Sequence, residues 1–156
     1  PYTFTYNING GTAQTVSTTS LVSTATISAP TNTAGDFTYS LTGVSDAAAS
    51  VCGAAAGGIV ITVRSLPTVT LTGSTTVCQY TTNPELTFAI SNGTAPYTID
   101  YTANGSNQSI SSPGASTVLP ISTSTATSYT HSLVGITDTY GCTQTQTGTT
   151  TVLINP

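Results

Sequence analysis

Side chains able to do chemistry are few in this chain: one imidazole, His131; three thiols, Cys52, Cys78 and Cys142; five carboxylates, Asp36, Asp46, Glu85, Asp100 and Asp138; and one guanidinium, Arg64. Nucleophilic catalysis requires a hydroxyl or thiol with a base in hydrogen-bond reach, and His131 is the sole candidate base of that kind. It falls within an alternating strand pattern, at the position that Tyr39 holds in a second copy of the same block, so it reads as a structural ring. The acids are scattered. Only Asp46 and Asp138 share an equivalent position, and neither lies in an Asp-rich loop of the calcium-binding type, so both read as turn caps. No second His and no CxxC accompanies the cysteines, which argues against a metal site and against a redox pair. A net charge of -4 with no Lys and a single Arg leaves no basic patch for nucleic acid. The absence of Lys also closes the Lys–Asn isopeptide route to a crosslinked strand. The expectation is a protein that is not an enzyme, takes no cofactor or metal and binds no nucleic acid.

The bulk of the sequence is scaffold. Among 156 residues, 37 are Thr and 19 are Ser, while 37% are hydrophobic, which is enough apolar material for a packed core. The longest aliphatic clusters, such as 59–63, are strand-sized and far from the ~20 residues of a membrane helix, so membrane insertion is not expected. The sequence opens at Pro1 with no charged and apolar leader, so any signal peptide is expected elsewhere.

Internal repetition organises the chain. Pro1-Tyr2-Thr3-Phe4-Thr5-Tyr6 followed by Asn9-Gly10 returns as Pro96-Tyr97-Thr98-Ile99-Asp100-Tyr101 followed by Asn104-Gly105. Gln14-Thr15-Val16 returns as Gln108-Ser109-Ile110, and Tyr39-Ser40-Leu41-Thr42-Gly43-Val44-Ser45-Asp46 as His131-Ser132-Leu133-Val134-Gly135-Ile136-Thr137-Asp138. A cysteine follows each block, and Thr62-Val63 with Pro67 corresponds to Thr151-Val152 with Pro156. Residues 67–156 are therefore expected to form one complete unit. Residues 1–66 are expected to hold the later part of a preceding unit whose first strands lie outside this sequence. Arg64, Ser65, Leu66 and Pro67 form the linker between them.

The cysteines follow the same logic. The complete unit has an early Cys78 and a late Cys142, whereas residues 1–66 have only the late one. The expected disulfide joins Cys78 to Cys142, with Cys52 paired to a residue outside the sequence, in an oxidising compartment such as the cell exterior.

Period-two alternation dominates: Leu86, Phe88 and Ile90; Tyr97, Ile99 and Tyr101; Tyr2, Phe4 and Tyr6; Phe37, Tyr39 and Leu41. Asn92-Gly93, Asn104-Gly105 and Ser112-Pro113-Gly114 supply turns between the runs. The N-linked glycosylation patterns at Asn92, Asn104 and Asn107 read as turns as well. About seven strands in about 90 residues predict an all-β fold of tandem immunoglobulin-like β-sandwiches. Tyr2, Phe4, Tyr6, Phe37, Tyr39, Phe88, Tyr97 and Tyr101 are its expected core aromatics.

The motif Pro-Tyr-Thr-apolar-x-Tyr, then Gln-Thr-Val or Gln-Ser-Ile, then Tyr-Ser-Leu-x-Gly-Val-x-Asp, a Cys, and Thr-Val before a unit-opening Pro resembles the repeat domains of giant Bacteroidota surface adhesins of the SprB gliding-motility type. The resemblance covers the whole chain. It implies a long extracellular filament exported by type IX secretion, with neighbouring repeats of the same chain as immediate partners. Contacts with surface polysaccharide or the gliding machinery would then be made by other regions. The alternatives are a glycan- or protein-binding module, which exposed Tyr clustered at one end would favour, and a pilin-like subunit that accepts strands from a neighbour.

Overall fold

The computed structural model describes residues 1–20, 22–46, 48 and 55–156, and every regular element among them is a strand. The chain divides into two compact units, Pro1–Arg64 and Ser65–Pro156, a boundary two residues from the one expected from the repeat.

In the second unit, β5 (Thr68–Thr72), β7 (Glu85–Ser91) and β10 (Ser116–Pro120) form one sheet in the order β10-β7-β5. The other sheet runs β6-β13-β11-β8-β9, from β6 (Thr75–Cys78), β8 (Tyr97–Ala103), β9 (Ser106–Ser112), β11 (Ser128–Thr137) and β13 (Thr149–Asn155), with β12 (Thr143–Thr145) also paired to β11. All pairings are antiparallel except β13 with β6. The chain passes from the first sheet to the second between β5 and β6 at Gly73. Its φ is +120°, and a Cβ there would stand 2.6 Å from the Glu85 carbonyl oxygen, so this crossing requires glycine. Two sheets joined in this way, with the opening strand split between them, make an immunoglobulin-like β-sandwich.

Alternation fixes what fills it. In β7 the inward residues are Leu86, Phe88 and Ile90; in β8 they are Tyr97, Ile99 and Tyr101; in β13 they are Thr150, Val152 and Ile154. Val69, Phe88 and Ile90 from one sheet meet Ile99, Tyr101, Leu133 and Ile136 from the other, and Leu86, Ile121, Val152 and Ile154 close the adjoining part of the core. A bulge in β11 between Leu133 and Gly135 changes its parity. Both Leu133 and Ile136 thereby face inward while Val134 is left outside.

The first unit contains β1 (Thr3–Ile8), β2 (Gln14–Ser17), β3 (Gly35–Ser45) and β4 (Gly58–Val63) in a single antiparallel sheet, β2-β1-β3-β4. This is the path β9-β8-β11-β13 of the second unit. The bulge recurs too, with Thr5 facing Gly43 and Tyr6 facing Leu41 so that Thr42 is passed over, as Val134 is. Among the described residues no second sheet lies over this one, and its side chains are correspondingly open. Tyr39 is buried and Phe4, Tyr6 and Phe37 are half-buried. Tyr2, expected in the core, is 43% exposed, and Ile59 is 63% exposed. For Tyr2 the expectation is corrected: burial of a strand face needs an opposing layer, which alternation along one strand does not supply.

Candidate functional site

The features of the second unit that the repeat pattern singled out collect at the two ends of the sandwich. At the end where the chain enters, Pro67 is fully buried and Ser65 accepts the Gly93 N–H on its hydroxyl at 3.3 Å, while Leu66 remains half exposed. The expected linker is thus partly built into the second unit. Gly93 has φ +65°, and a Cβ on it would meet the Pro67 Cβ at 2.8 Å and the Asp138 Oδ2 at 3.3 Å.

Asp138 organises this end. It is 5% exposed, and its Oδ1 accepts the N–H groups of Tyr140 at 2.9 Å and Cys142 at 3.0 Å. Its Oδ2 accepts the N–H of Thr94 at 3.0 Å, joining the β11–β12 turn to the β7–β8 connection. A carboxylate holding three backbone donors is a turn cap, as the sequence suggested. Asp46 does the same locally, accepting the Ala48 N–H at 2.9 Å.

At the end where the chain leaves, Cys78 stands beside Asn155 in the parallel β6–β13 pairing, and the next amide, Gln79, donates to the Asn155 carbonyl at 2.7 Å. Thr123 donates its hydroxyl to the Thr81 carbonyl at 2.6 Å and its amide to Asn83 at 3.2 Å, tying the same end together.

This placement overturns the expected Cys78–Cys142 disulfide. Both cysteines are free, Cys78 exposed and Cys142 half-buried. Leu153, two residues before Asn155, faces Ser128 at the first position of β11, whereas Cys142 immediately precedes Thr143, which faces Thr137 at the last. Ten residues of extended strand therefore separate them. At about 3.3 Å per residue that is roughly 30 Å, against the limit of about 7 Å between Cα atoms that a disulfide tolerates. Sharing a unit suggested the pairing, but sequence order does not reveal which end of a sandwich a residue occupies. Cys52 lies outside the described residues.

His131 occupies the expected strand position. Its ring is buried in β11, 6.1 Å from the ring of Tyr101, and its Nδ1 makes no hydrogen bond. Burial lowers its pKa below the usual imidazole value. Among the described residues no hydroxyl or thiol hydrogen-bonds to its Nδ1. No three His, Cys, Asp or Glu side chains converge on a common point among the described residues.

Two features escaped the sequence reading. Asn104, read as half of a turn, also clamps a non-adjacent stretch: its Oδ1 accepts the Thr130 N–H and its own N–H donates to the Thr130 carbonyl, both at 2.8 Å. Asn9 does the same to Thr38, at 2.7 and 2.8 Å. The clue was available in the recurrence of Asn-Gly at the same offset in both copies. The other is an apolar groove of about 450 Å³ on the first unit, lined by Phe4, Tyr6, Val16, Tyr39, Leu41 and Ile59 with residues of the 23–27 segment.

No protein-family model matches the chain, and no curated protein matches it. Among solved structures it is similar to the crystal structure of Dscam1 isoform 4.44, N-terminal four Ig domains, at 16% identity and a TM-score of 0.35, over 98% of this chain and 36% of that one. The sandwich described above stands on its own strand order and register.

Proposed function

We propose that the chain is a segment of a tandem array of immunoglobulin-like modules whose work is mechanical: a stiff extracellular spacer that carries force to an adhesive end, as in SprB-type surface adhesins. The observation that carries this reading is the correspondence of β1, β2, β3 and β4 with β8, β9, β11 and β13. Strand order, bulge position and the Asn clamp all recur. In this reading the first unit is one sheet of the same sandwich, and its covering sheet is supplied by chain preceding Pro1. The composition suits such a fibre, since Thr forms strands and keeps an uncharged, wettable surface.

The groove on the first unit favours a second reading, in which strands donated by another chain cover that face. A glycan-binding module gains no comparable support: the exposed Tyr80 and Tyr140 sit in connections at opposite ends of the second unit. The mass of the intact parent polypeptide, with and without reductant, separates the readings. A covalent chain many times longer than this one supports the array. A species near 15.7 kDa overturns it in favour of strand exchange.

A further inference from the structure

Residues 23–29 of the first unit form no strand, yet they carry the pattern of one. The spacing that relates Tyr39 to His131 continues back without insertion, so Ala25, Ile27 and Ala29 correspond to Thr117, Leu119 and Ile121. In the second unit these inward residues alternate with exposed Ser116, Val118 and Pro120 along β10 and just beyond it. In the first unit Ala25 and Ala29 are half-buried, and Ala25 and Ile27 line the apolar groove. The segment is thus the counterpart of β10, the edge of the covering sheet, without its neighbour β7. The register of that neighbour is explicit in the second unit: Phe88 faces Thr117 and Leu86 faces Leu119. On either side Ile90 donates its N–H to the Ala115 carbonyl at 2.8 Å, and Ile121 donates to the Pro84 carbonyl at 2.9 Å. Bonded pairs alternate along an antiparallel ladder, so Ala115, Thr117, Leu119 and Ile121 turn their backbone groups toward β7. Pro120, which has no N–H, falls where none is needed. Carried to the first unit, this parity selects Ser23, Ala25, Ile27 and Ala29, and Pro30 again falls outside the bonded set. Among the described residues none of those four makes a backbone hydrogen bond.

We infer that residues 23–29 are a strand acceptor, filled by a segment of the chain preceding Pro1 that runs antiparallel to them as β7 runs to β10. The inference rests on the reading of the first unit as one sheet of a sandwich. The source follows from strand order: β7 ends five residues before β8, and β8 corresponds to β1, so the counterpart of β7 belongs just ahead of β1. The chemistry of the occupant follows from the wall it meets. β7 presents Leu86, Phe88 and Ile90 at alternate positions, and the groove offers Phe4, Tyr6, Tyr39, Leu41 and Ile59 to the same kind of face. An apolar residue is required opposite Ala25 and another opposite Ile27, since a charge there would be buried without a partner. Main-chain bonds to Ala25, Ile27 and Ala29 hold the strand, and the two apolar positions select it.

The test follows amide hydrogen exchange by NMR in the full chain with a second copy of residues 67–95 fused ahead of Pro1, under reducing conditions. That junction keeps the phase of the repeat, because Pro1 corresponds to Pro96. The expected result is a slowing of roughly tenfold or more at the amides of Ala25, Ile27 and Ala29, with those of Thr24, Thr26 and Ser28 unchanged. Aspartate in place of Phe88 in the added copy abolishes the slowing. The amides of Thr117, Leu119 and Ile121 serve as the protected standard, and those of β1 and β3 report that the first unit is folded. Slowing at the alternate set, slowing at none, or protection already present without the added copy overturns the acceptor while leaving the array reading untouched. Slowing by a free peptide of residues 83–92 but not by the fused copy overturns the preceding chain as the source in favour of a strand from another chain. A parent polypeptide near the size of this chain overturns the array and that source together, whatever the exchange pattern.

Discussion

His131 lies with its ring 6.1 Å from that of Tyr101, at an interplanar angle of 34°. Tyr39 and Tyr6 hold the corresponding places in the first unit, 6.3 Å apart and closer to parallel at 25°. One position thus accepts either a phenol or an imidazole as a packing ring, and the imidazole introduces a proton switch. Burial lowers the His131 pKa, so the folded state holds the ring neutral where the unfolded chain would protonate it. Stability from this group is complete above about pH 6.5, the unfolded value, and is lost as pH falls through the folded pKa. Thermal melting between pH 7.5 and 5.5, above the main carboxylate range, is expected to show a falling midpoint in the wild-type chain. H131F is expected to flatten that slope; an unchanged slope would show that His131 titrates as it does in the unfolded chain.

Tyr101 sets the opposite limit. Burial raises its pKa, so the folded state keeps the phenol protonated where the unfolded chain would release its proton. Stability is expected to decline above about pH 10. Y101F should remove part of that decline with little change at pH 7, read by urea denaturation at both pH values.

Asp138 and Asn104 show how differently the sequence exposed the parts of the structure. Strand positions were legible because period two is a direct record of one buried face, and Leu86, Phe88, Ile90 and Ile99 stand where alternation put them. Turn-capping at Asp138 was legible because the residue type carries its own mechanism. The reach of Asp138 to Thr94, 44 residues away, was not, since it depends on which connections share an end. The same ignorance of ends produced the mistaken cysteine pairing. D138A leaves three backbone donors without their acceptor and is expected to cost about 1–3 kcal/mol. D46A, which removes the acceptor of the Ala48 N–H, is also expected to destabilise its turn, and chemical denaturation of the two variants checks both.

Asn104 serves both a backbone conformation at φ +49° and the clamp on Thr130. Substitution by Gly keeps the first and removes the side-chain half of the second, whereas Ala removes that half and also strains the backbone. N104G is therefore expected to lose about 0.5–1.5 kcal/mol, the net worth of an ordinary hydrogen bond, and N104A about 1 kcal/mol more for the left-handed backbone. Equal losses in urea denaturation would mean that the clamp, and not the conformation, sets the cost.

Ile99 and Phe4 occupy the same place in their respective sheets, facing Ile136 and Val44 across the adjoining strand. Ile99 is fully buried beneath the opposing sheet, whereas Phe4 is half-buried and lines the open groove. I99A is expected to cost about 2–5 kcal/mol, the range for truncating a core aliphatic. F4A in this chain should cost less than the 3–5 kcal/mol typical of a fully buried Phe, because part of its surface already meets solvent. If the face is the inner layer of a sandwich, the same F4A made in a chain extended upstream through the preceding strands should approach the full core penalty. Unfolding of the first unit must be followed separately, and cleavage after Arg64, the only Lys or Arg, provides that handle. A cost for F4A that is the same with and without the upstream strands would mean that nothing on that side of the chain covers the groove.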